Sequence, residues 1–307
     1  MDIVMIAGLK NGRSIYEFLK TKEDINLLAV FVLKDQYINK VSDFVAFDDI
    51  VDKDRLIKVD CINDHEKLIA ELHPDYIIVV GWSQLISEGI IKSAKNSCIG
   101  FHPSQLPEDR GRSVLAWQMV EGYTRGCVSM FEIDTGVDSG RIIGQIEYSI
   151  EYEDTIREVL EKAYKCCLYL TEKYIFPYME GKIIPIEQDE AKATYRRLRK
   201  FDDGLIDWNK NSQEIYNLVR AITIPYPVAI TFLNGLEIRI VEAYEIECDK
   251  QFLTEPCGKI IHADNLGVAV KTGNGAILIK KIKIGNDIID ENRIKDFITL
   301  NDSFSTR

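Results

Sequence analysis

The sequence predicts an α/β protein in two parts, a Rossmann-like parallel sheet followed by a small open β-barrel. Three observations carry this prediction. Apolar runs that end in glycine recur early, at residues 3–8 and 75–81. Stretches of helical period stand among the apolar runs of the first part. After residue 204 the pattern changes to short alternating segments separated by Asn-Gly and Gly-Asn-Gly turns.

Taken in order, residues 3–7 read as a strand, and Asn11-Gly12-Arg13-Ser14 leads into a helix with Ile15, Phe18 and Leu19 on one face. Residues 27–32 read as a strand, 66–72 as a helix, and 75–81 as a strand that is apolar almost throughout. Such a strand is buried on both faces, which calls for a parallel sheet with helices on each side. Ligands then bind at the carboxyl ends of the strands, placing Gly8 and Gly81 at the working edge. No G-x-G-x-x-G follows the first strand, so a dinucleotide site is not expected.

Thr155-Ile156-Arg157-Glu158 is a capping-box signature, and Ile156, Val159, Leu160, Ala163, Cys167 and Leu168 share one face of the helix it opens. Cys166 and Cys167 read as small packing residues on that helix. Residues 181–204 lapse into a polar stretch with Arg196, Arg197, Arg199 and Lys200. The expected division is a first domain at 1–182, a linker at 183–204 and a barrel-like domain at 205–307. The last contains a helix at 212–221 and strands at 229–232, 237–241, 258–262, 267–271 and 276–284.

Composition narrows the functional classes. The 307 residues are 46% hydrophobic, enough for two cores. With 38 Lys and Arg against 49 Asp and Glu the net charge is −11, which disfavours a general attraction to nucleic acid or anionic lipid. Seven cysteines, with no C-x-x-C pair and no zinc-like spacing with the four histidines, point to a reducing compartment and no metal. The apolar N-terminal run is too short for a leader or a membrane span, so a cytoplasmic protein is expected.

The most informative segment is Ile99-Gly100-Phe101-His102-Pro103-Ser104-Gln105-Leu106-Pro107-Glu108-Asp109-Arg110-Gly111-Arg112. A histidine between an apolar run and two prolines, with a glycine turn beyond, is a rigidly presented imidazole. Imidazole titrates near neutral pH and suits general acid or base work. The plainer alternative is a buried, hydrogen-bonded histidine without a chemical role. Downstream, Phe131-Glu132-Ile133-Asp134-Thr135-Gly136-Val137-Asp138-Ser139-Gly140 follows a strand-like run. A carboxylate there can orient the imidazole and stabilise its protonated form. An ordinary Asx turn is the competing reading.

Together the two segments resemble the folate-dependent formyltransferase family, which includes glycinamide ribonucleotide, methionyl-tRNA and amino-sugar formyltransferases. The family pattern is Asn-x-His-x-Ser-Leu-Leu-Pro, with an Asp in a glycine-bearing loop about 36 residues after the His. Here His102 and Asp138 lie 36 residues apart. Phe201-Asp202-Asp203-Gly204-Leu205-Ile206-Asp207-Trp208, followed by Leu218-Val219-Arg220-Ala221 and Pro225-Tyr226-Pro227, resembles the start of the C-terminal domain of the tRNA and amino-sugar members.

The resemblance implies an enzyme that moves a formyl group from 10-formyltetrahydrofolate to an amine, with His102 and Asp138 at the chemical centre. It also implies that the pterin lies against the backbone of Trp82, Ser83, Gln84, Leu85 and Ile86 and of Asp134 to Asp138, Gly136 and Val137 included. One departure stands out: Gly100 occupies the place of the family Asn, whose side chain donates to the formyl oxygen as it becomes an oxyanion. Losing such a donor costs about 2.7–4 kcal/mol of barrier. Gln105, Asn96 or the backbone at Gly100 replaces it, or the chemistry is weakened.

For the acceptor, residues 205–307 carry 12 Lys and Arg against 14 Asp and Glu, which is no clamp for a polyanion. The loop at 33–40 also lacks the basic, glycine-rich character of the tRNA enzymes. A nucleotide-linked amino sugar is the expected acceptor, held by Ser104 and Gln105 and by cations such as Arg110, Arg112 or Arg220. Methionyl-tRNA, and a catalytically altered folate-binding homologue, are the alternatives. Binding to membranes is not expected; a homodimer is allowed.

Overall fold

The computed structural model describes residues 1–38 and 40–306, so Asn39 in the loop after the second strand, and Arg307, lie outside the described residues. The chain forms two compact units. The first holds residues 1–114, 125–149 and 160–197, and the second holds 115–124, 150–159 and 198–307.

The first unit is built on β1 (Asp2–Ala7), α1 (Leu9–Lys20), β2 (Asn26–Leu33), β3 (Leu56–Val59), α2 (Glu66–Glu71), β4 (Tyr76–Val80), α3 (Glu88–Ser93) and β5 (Ser97–His102). The short β6 (Arg110–Gly111), then β7 (Arg125–Glu132), β8 (Ile142–Ser149) and β9 (Tyr195–Arg196) complete it. Two helices, α4 (Val114–Val120) and α5 (Ile156–Met179), carry residues of both units. The main sheet runs β3-β2-β1-β4-β5-β7-β8. Its first five strands are parallel, as expected, while β7 is antiparallel to β5 and β8 to β7. Val4, Ile6, Phe31, Val59, Ile77 and Val79 bury one continuous core on it. Ile3, Met5, Val30 and Ile78 at the alternate positions are equally buried, so the strands are covered on both faces, as their apolar runs imply.

The chain leaves β1 toward β2 on one side and later returns to β4 on the other, which makes the carboxyl ends of β1 and β4 the switch point of the sheet. There Gly8 N donates to Val80 O at 3.0 Å. A Cβ on Gly8 or Gly81 would run into the backbone carbonyl of the other, and Gly81 has φ +62°. Glycine is required at both positions for these reasons.

The polar stretch expected to be a linker is ordered against the first unit as far as residue 197. Ile186 pairs with Ile142, and β9 lies parallel to β6. Most of its side chains are exposed, but Gln188, Glu190, Thr194 and Arg196 take hydrogen-bond partners in the first unit, which a composition argument cannot foresee.

The second unit contains α6 (Ser212–Ile222), β10 (Ala229–Leu233), β11 (Leu236–Ile246), β12 (Ile260–Asp264), β13 (Gly267–Lys271), β14 (Ala276–Ile284), β15 (Asp287–Asp290), α7 (Glu291–Ile294) and β16 (Phe304–Ser305). Asn211 and Glu214 form a reciprocal capping box that starts α6. The antiparallel sheet runs β12-β13-β14-β11-β10-β16, with β15 also on β14. Register shifts near Glu242 bend β11, and the two edges meet where Phe304 N donates to Gly258 O at 2.8 Å and Lys259 bridges Ser303. The result is the curled, open barrel expected from the turns. At its core Trp208 is 3% exposed, stacks on Phe304 at 5.5 Å and donates from Nε1 to Thr231 Oγ1 at 2.9 Å. Trp208→Ala should cost about 3–5 kcal/mol of stability, read as a lower denaturant midpoint.

Among the described residues no helix is long and apolar enough to cross a membrane. All seven cysteines are free, and burial pushes the thiols of Cys98, Cys127 and Cys167 up to about 12, which leaves them inert at neutral pH.

Candidate active site

The last residue of β5 is His102, 5% exposed, and the loop that follows is held from below by the neighbouring antiparallel strands. Ser129 of β7 donates to Ser104 O at 2.6 Å and accepts from Leu106 N at 3.2 Å. Gln145 of β8 donates to Leu106 O at 3.0 Å and to Ser129 Oγ at 2.8 Å. These two antiparallel strands are thus what makes the imidazole rigid.

His102 Nε2 lies 2.8 Å from Asp109 O. A carbonyl only accepts, so Nε2 carries the hydrogen and the neutral ring presents its lone pair at Nδ1. Facing Nδ1 at 3.5 Å is Asp138 Oδ2. That carboxylate also accepts from Gly111 N at 2.8 Å, and Asp138 sits at φ +50°. A left-handed aspartate held by a backbone amide is a local strain that the surroundings must sustain. The arrangement can take a proton at Nδ1, with a carboxylate beside the imidazolium that would form.

Asp109, at φ +56° and 4% exposed, ion-pairs with Arg196 at 2.6 Å, and its amide donates to Thr194 Oγ1 at 2.8 Å. Sequence reasoning missed Asp109, Thr194, Gln188 and Arg196. All but Asp109 lie more than 80 residues beyond His102, and no local pattern announces them.

Several expected contacts are corrected. Arg110 is fully buried and makes five hydrogen bonds, to Gln188 Oε1 (3.1 and 2.8 Å), Glu190 (3.0 and 2.6 Å) and Tyr195 OH (2.8 Å), which exhausts its donors. It has none left for a diphosphate. Arg110 holds the Glu190 carboxyl below its usual range, so this pair stabilises the fold at neutral pH and loses its contribution as acid protonates Glu190. Ser104, 0% exposed, spends its hydroxyl on Glu108 O at 2.6 Å. Arg220 in the second unit is buried against Asn217 Oδ1 and the carbonyls of Glu151 and Asp154. Asn96 precedes β5, at the end opposite His102 and about 20 Å away at the rise of a strand, too far to donate there. Gln105 and Arg112 remain exposed near His102 in sequence.

Gly100 is buried, and a Cβ there would meet Ile133 Cγ1 at 2.8 Å, Ile133 Cδ1 at 2.9 Å and Phe131 Cε1 at 3.1 Å. The space of the family Asn is therefore filled by Ile133.

In the two loops expected to hold the pterin, Gln84 is a staple, accepting from Ile62 N at 3.0 Å and donating to Asp60 O at 2.8 Å. Leu85 O accepts from Asn63 Nδ2 at 3.0 Å. Asp134 closes its turn by accepting from Gly136 N at 3.0 Å and Ser139 Oγ at 2.8 Å. Trp82, Ile86 and Ile133 pack on the same core cluster, while Ser83, Leu85 and Val137 are exposed, the two apolar ones at 77% and 46%. Trp82 Nε1 is buried and has no hydrogen-bond partner among the described residues. An orphaned buried N–H of this kind is a group that a ligand acceptor satisfies. No cluster of three or more His, Cys, Asp or Glu suited to a metal occurs among the described residues.

Residues 9–166 match the family model described as "Formyl transferase", and residues 199–295 match that of "Formyl transferase, C-terminal domain". A methionyl-tRNA formyltransferase of Bacillus licheniformis is 32% identical over 213 residues, 69% of this chain and 66% of that protein. The fold is shared with HypX from Aquifex aeolicus, solved in complex with tetrahydrofolic acid, at a TM-score of 0.68 and 16% identity; the match covers 95% of this chain but only 46% of HypX. It is shared equally with WlaRD, a sugar 3N-formyltransferase solved with dTDP and 5-N-formyl-THF, at a TM-score of 0.67 and 18% identity over 91% of this chain and 97% of that one.

Proposed function

Since the chain belongs to the formyltransferase family, we propose that it is a cytoplasmic enzyme that moves the formyl group of 10-formyltetrahydrofolate onto the amine of a nucleotide-linked amino sugar. The observation that carries the chemistry is the His102–Asp138 pair. Bound at the strand ends, the folate supplies the formyl carbon, and the unpaired Trp82 Nε1 with the exposed Leu85 and Val137 fits an aromatic, hydrogen-bonding ring system.

The acceptor nitrogen gains the formyl carbon and gives up one proton, and the bond from that carbon to N10 breaks. His102 Nδ1 receives the amine proton and returns it to N10, which leaves as a secondary amine. Asp138 stabilises the imidazolium between the two transfers. The His102 Nε2–Asp109 carbonyl bond holds the ring so that Nδ1 faces the reaction throughout.

The choice of a sugar over tRNA rests on charge. Residues 205–307 hold 12 Lys and Arg against 14 Asp and Glu, where a polyanion site needs clustered cations. The likeness to curated methionyl-tRNA formyltransferases favours the second reading, tRNA. A panel of dTDP- and UDP-linked amino sugars and methionyl-tRNA, each supplied with 10-formyltetrahydrofolate, separates them. N-formylation of a sugar, with no tRNA binding at physiological salt, is expected. Formylation of methionyl-tRNA would overturn the sugar assignment.

A further inference from the structure

The proposed chemistry needs Asp138 to stay at φ +50° with Oδ2 toward Nδ1, and Gln188, which holds its backbone, lies in neither stretch matched to the family models. Gln188 Nε2 donates to Asp138 O at 2.8 Å and to Gly140 O at 2.7 Å, spanning both ends of the turn that presents the carboxylate. Its Oε1 accepts from Arg110 Nε and Nη2, which fixes the amide so that Nε2 can only point at the turn. Arg110 is fixed in turn by Glu190 and Tyr195, and adjoins Gly111, whose amide holds Asp138 Oδ2.

The carboxylate is therefore gripped twice from one frame, by its own backbone through Gln188 and by its side chain through Gly111. We propose that Gln188, oriented by the buried Arg110, is a positioning residue for the proposed transfer: it holds Asp138 in register with His102 and touches no substrate. The inference rests on the His102–Asp138 reading.

The geometry selects the decisive variant. Gln188→Glu keeps the size and the acceptor that Arg110 needs, but loses the N–H groups that hold the turn. If Gln188 merely supplied an acceptor to a buried guanidinium, Glu would serve as well or better. If it positions Asp138, Gln188→Glu melts with the wild type but releases the turn.

The expected results are threefold. Hydrogen exchange at the Gly111 amide rises on the order of tenfold, the worth of one hydrogen bond. The dissociation constant for folinic acid, a stable formyl-folate probe, stays within about twofold. On the amine that the wild type formylates, kcat falls by about 10- to 100-fold at unchanged KM. Unchanged exchange at Gly111 with wild-type kcat overturns the inference.

If Gln188→Glu does not fold, Glu190→Gln loosens Arg110 from an exposed position and reports through the same amide; unaltered exchange there overturns the inference. Asp138→Asn keeps the two failures apart. Wild-type turnover in Asp138→Asn sinks the reading of the site, whereas loss of turnover there with none in Gln188→Glu sinks only the positioning role.

Discussion

Replacing His102 by Asn is expected to leave a folded, folate-binding protein whose formyl transfer is lower by about 10²- to 10⁴-fold, the usual worth of a positioned general base. Asn ends short of the Nε2 position that meets Asp109 O and presents no basic lone pair where Nδ1 stood. Asp138→Ala should cost a comparable factor through the missing counter-charge, and it also strips Gly111 N of its acceptor. Asp138→Asn is the cleaner companion, since the carboxamide oxygen still meets that amide. Steady-state kinetics with thermal melts check both positions. Near-normal turnover, or loss of soluble protein at both, would reject the assignment.

The second large effect concerns Gly100. The family Asn suggests that Gly100→Asn should restore an oxyanion donor and raise turnover, but the structure argues the opposite sign. A Cβ at this buried position overlaps Ile133 Cγ1 and Cδ1 and crowds Phe131, before any carboxamide is placed. Overpacking of this kind costs about 1–3 kcal/mol and displaces Ile133, which adjoins the Asp134 turn. Gly100→Asn should therefore melt lower and turn over more slowly. Gly100→Asn combined with Ile133→Ala, which vacates the space, should regain stability. A gain in turnover from the single substitution would contradict this account. A strong defect in Gln105→Ala would identify the exposed Gln105 as the replacement donor.

How much of this was legible in the sequence depended on distance along the chain. The parallel strands announced themselves because runs such as residues 76–80 bury both faces, a local property. The curled C-terminal sheet was legible from its turns for the same reason. His102 and Asp138 could be paired only through the family resemblance, because sequence order says nothing of a 3.5 Å approach.

What stayed hidden were the supports. Ser129 and Gln145 look like ordinary strand residues, and Gln188, Glu190, Thr194 and Arg196 look like a solvated linker. Arg110 was misread for the matching reason. A cation in a polar loop suggests an anionic ligand, and nothing local reveals that its partners lie 78 to 85 residues downstream. Buried polar networks are closed by long-range partners, and composition is blind to them.

The central claim, transfer of a formyl group to an amine, is tested most directly by following the label of 10-[13C]formyltetrahydrofolate through one turnover with the panel of nucleotide-linked amino sugars. The account predicts that the label appears on the acceptor nitrogen as an N-formyl group, one for each tetrahydrofolate released, and that His102→Asn slows its appearance by about 10²- to 10⁴-fold. Label released only as formate, or left on the folate while folinic acid still binds, would contradict it.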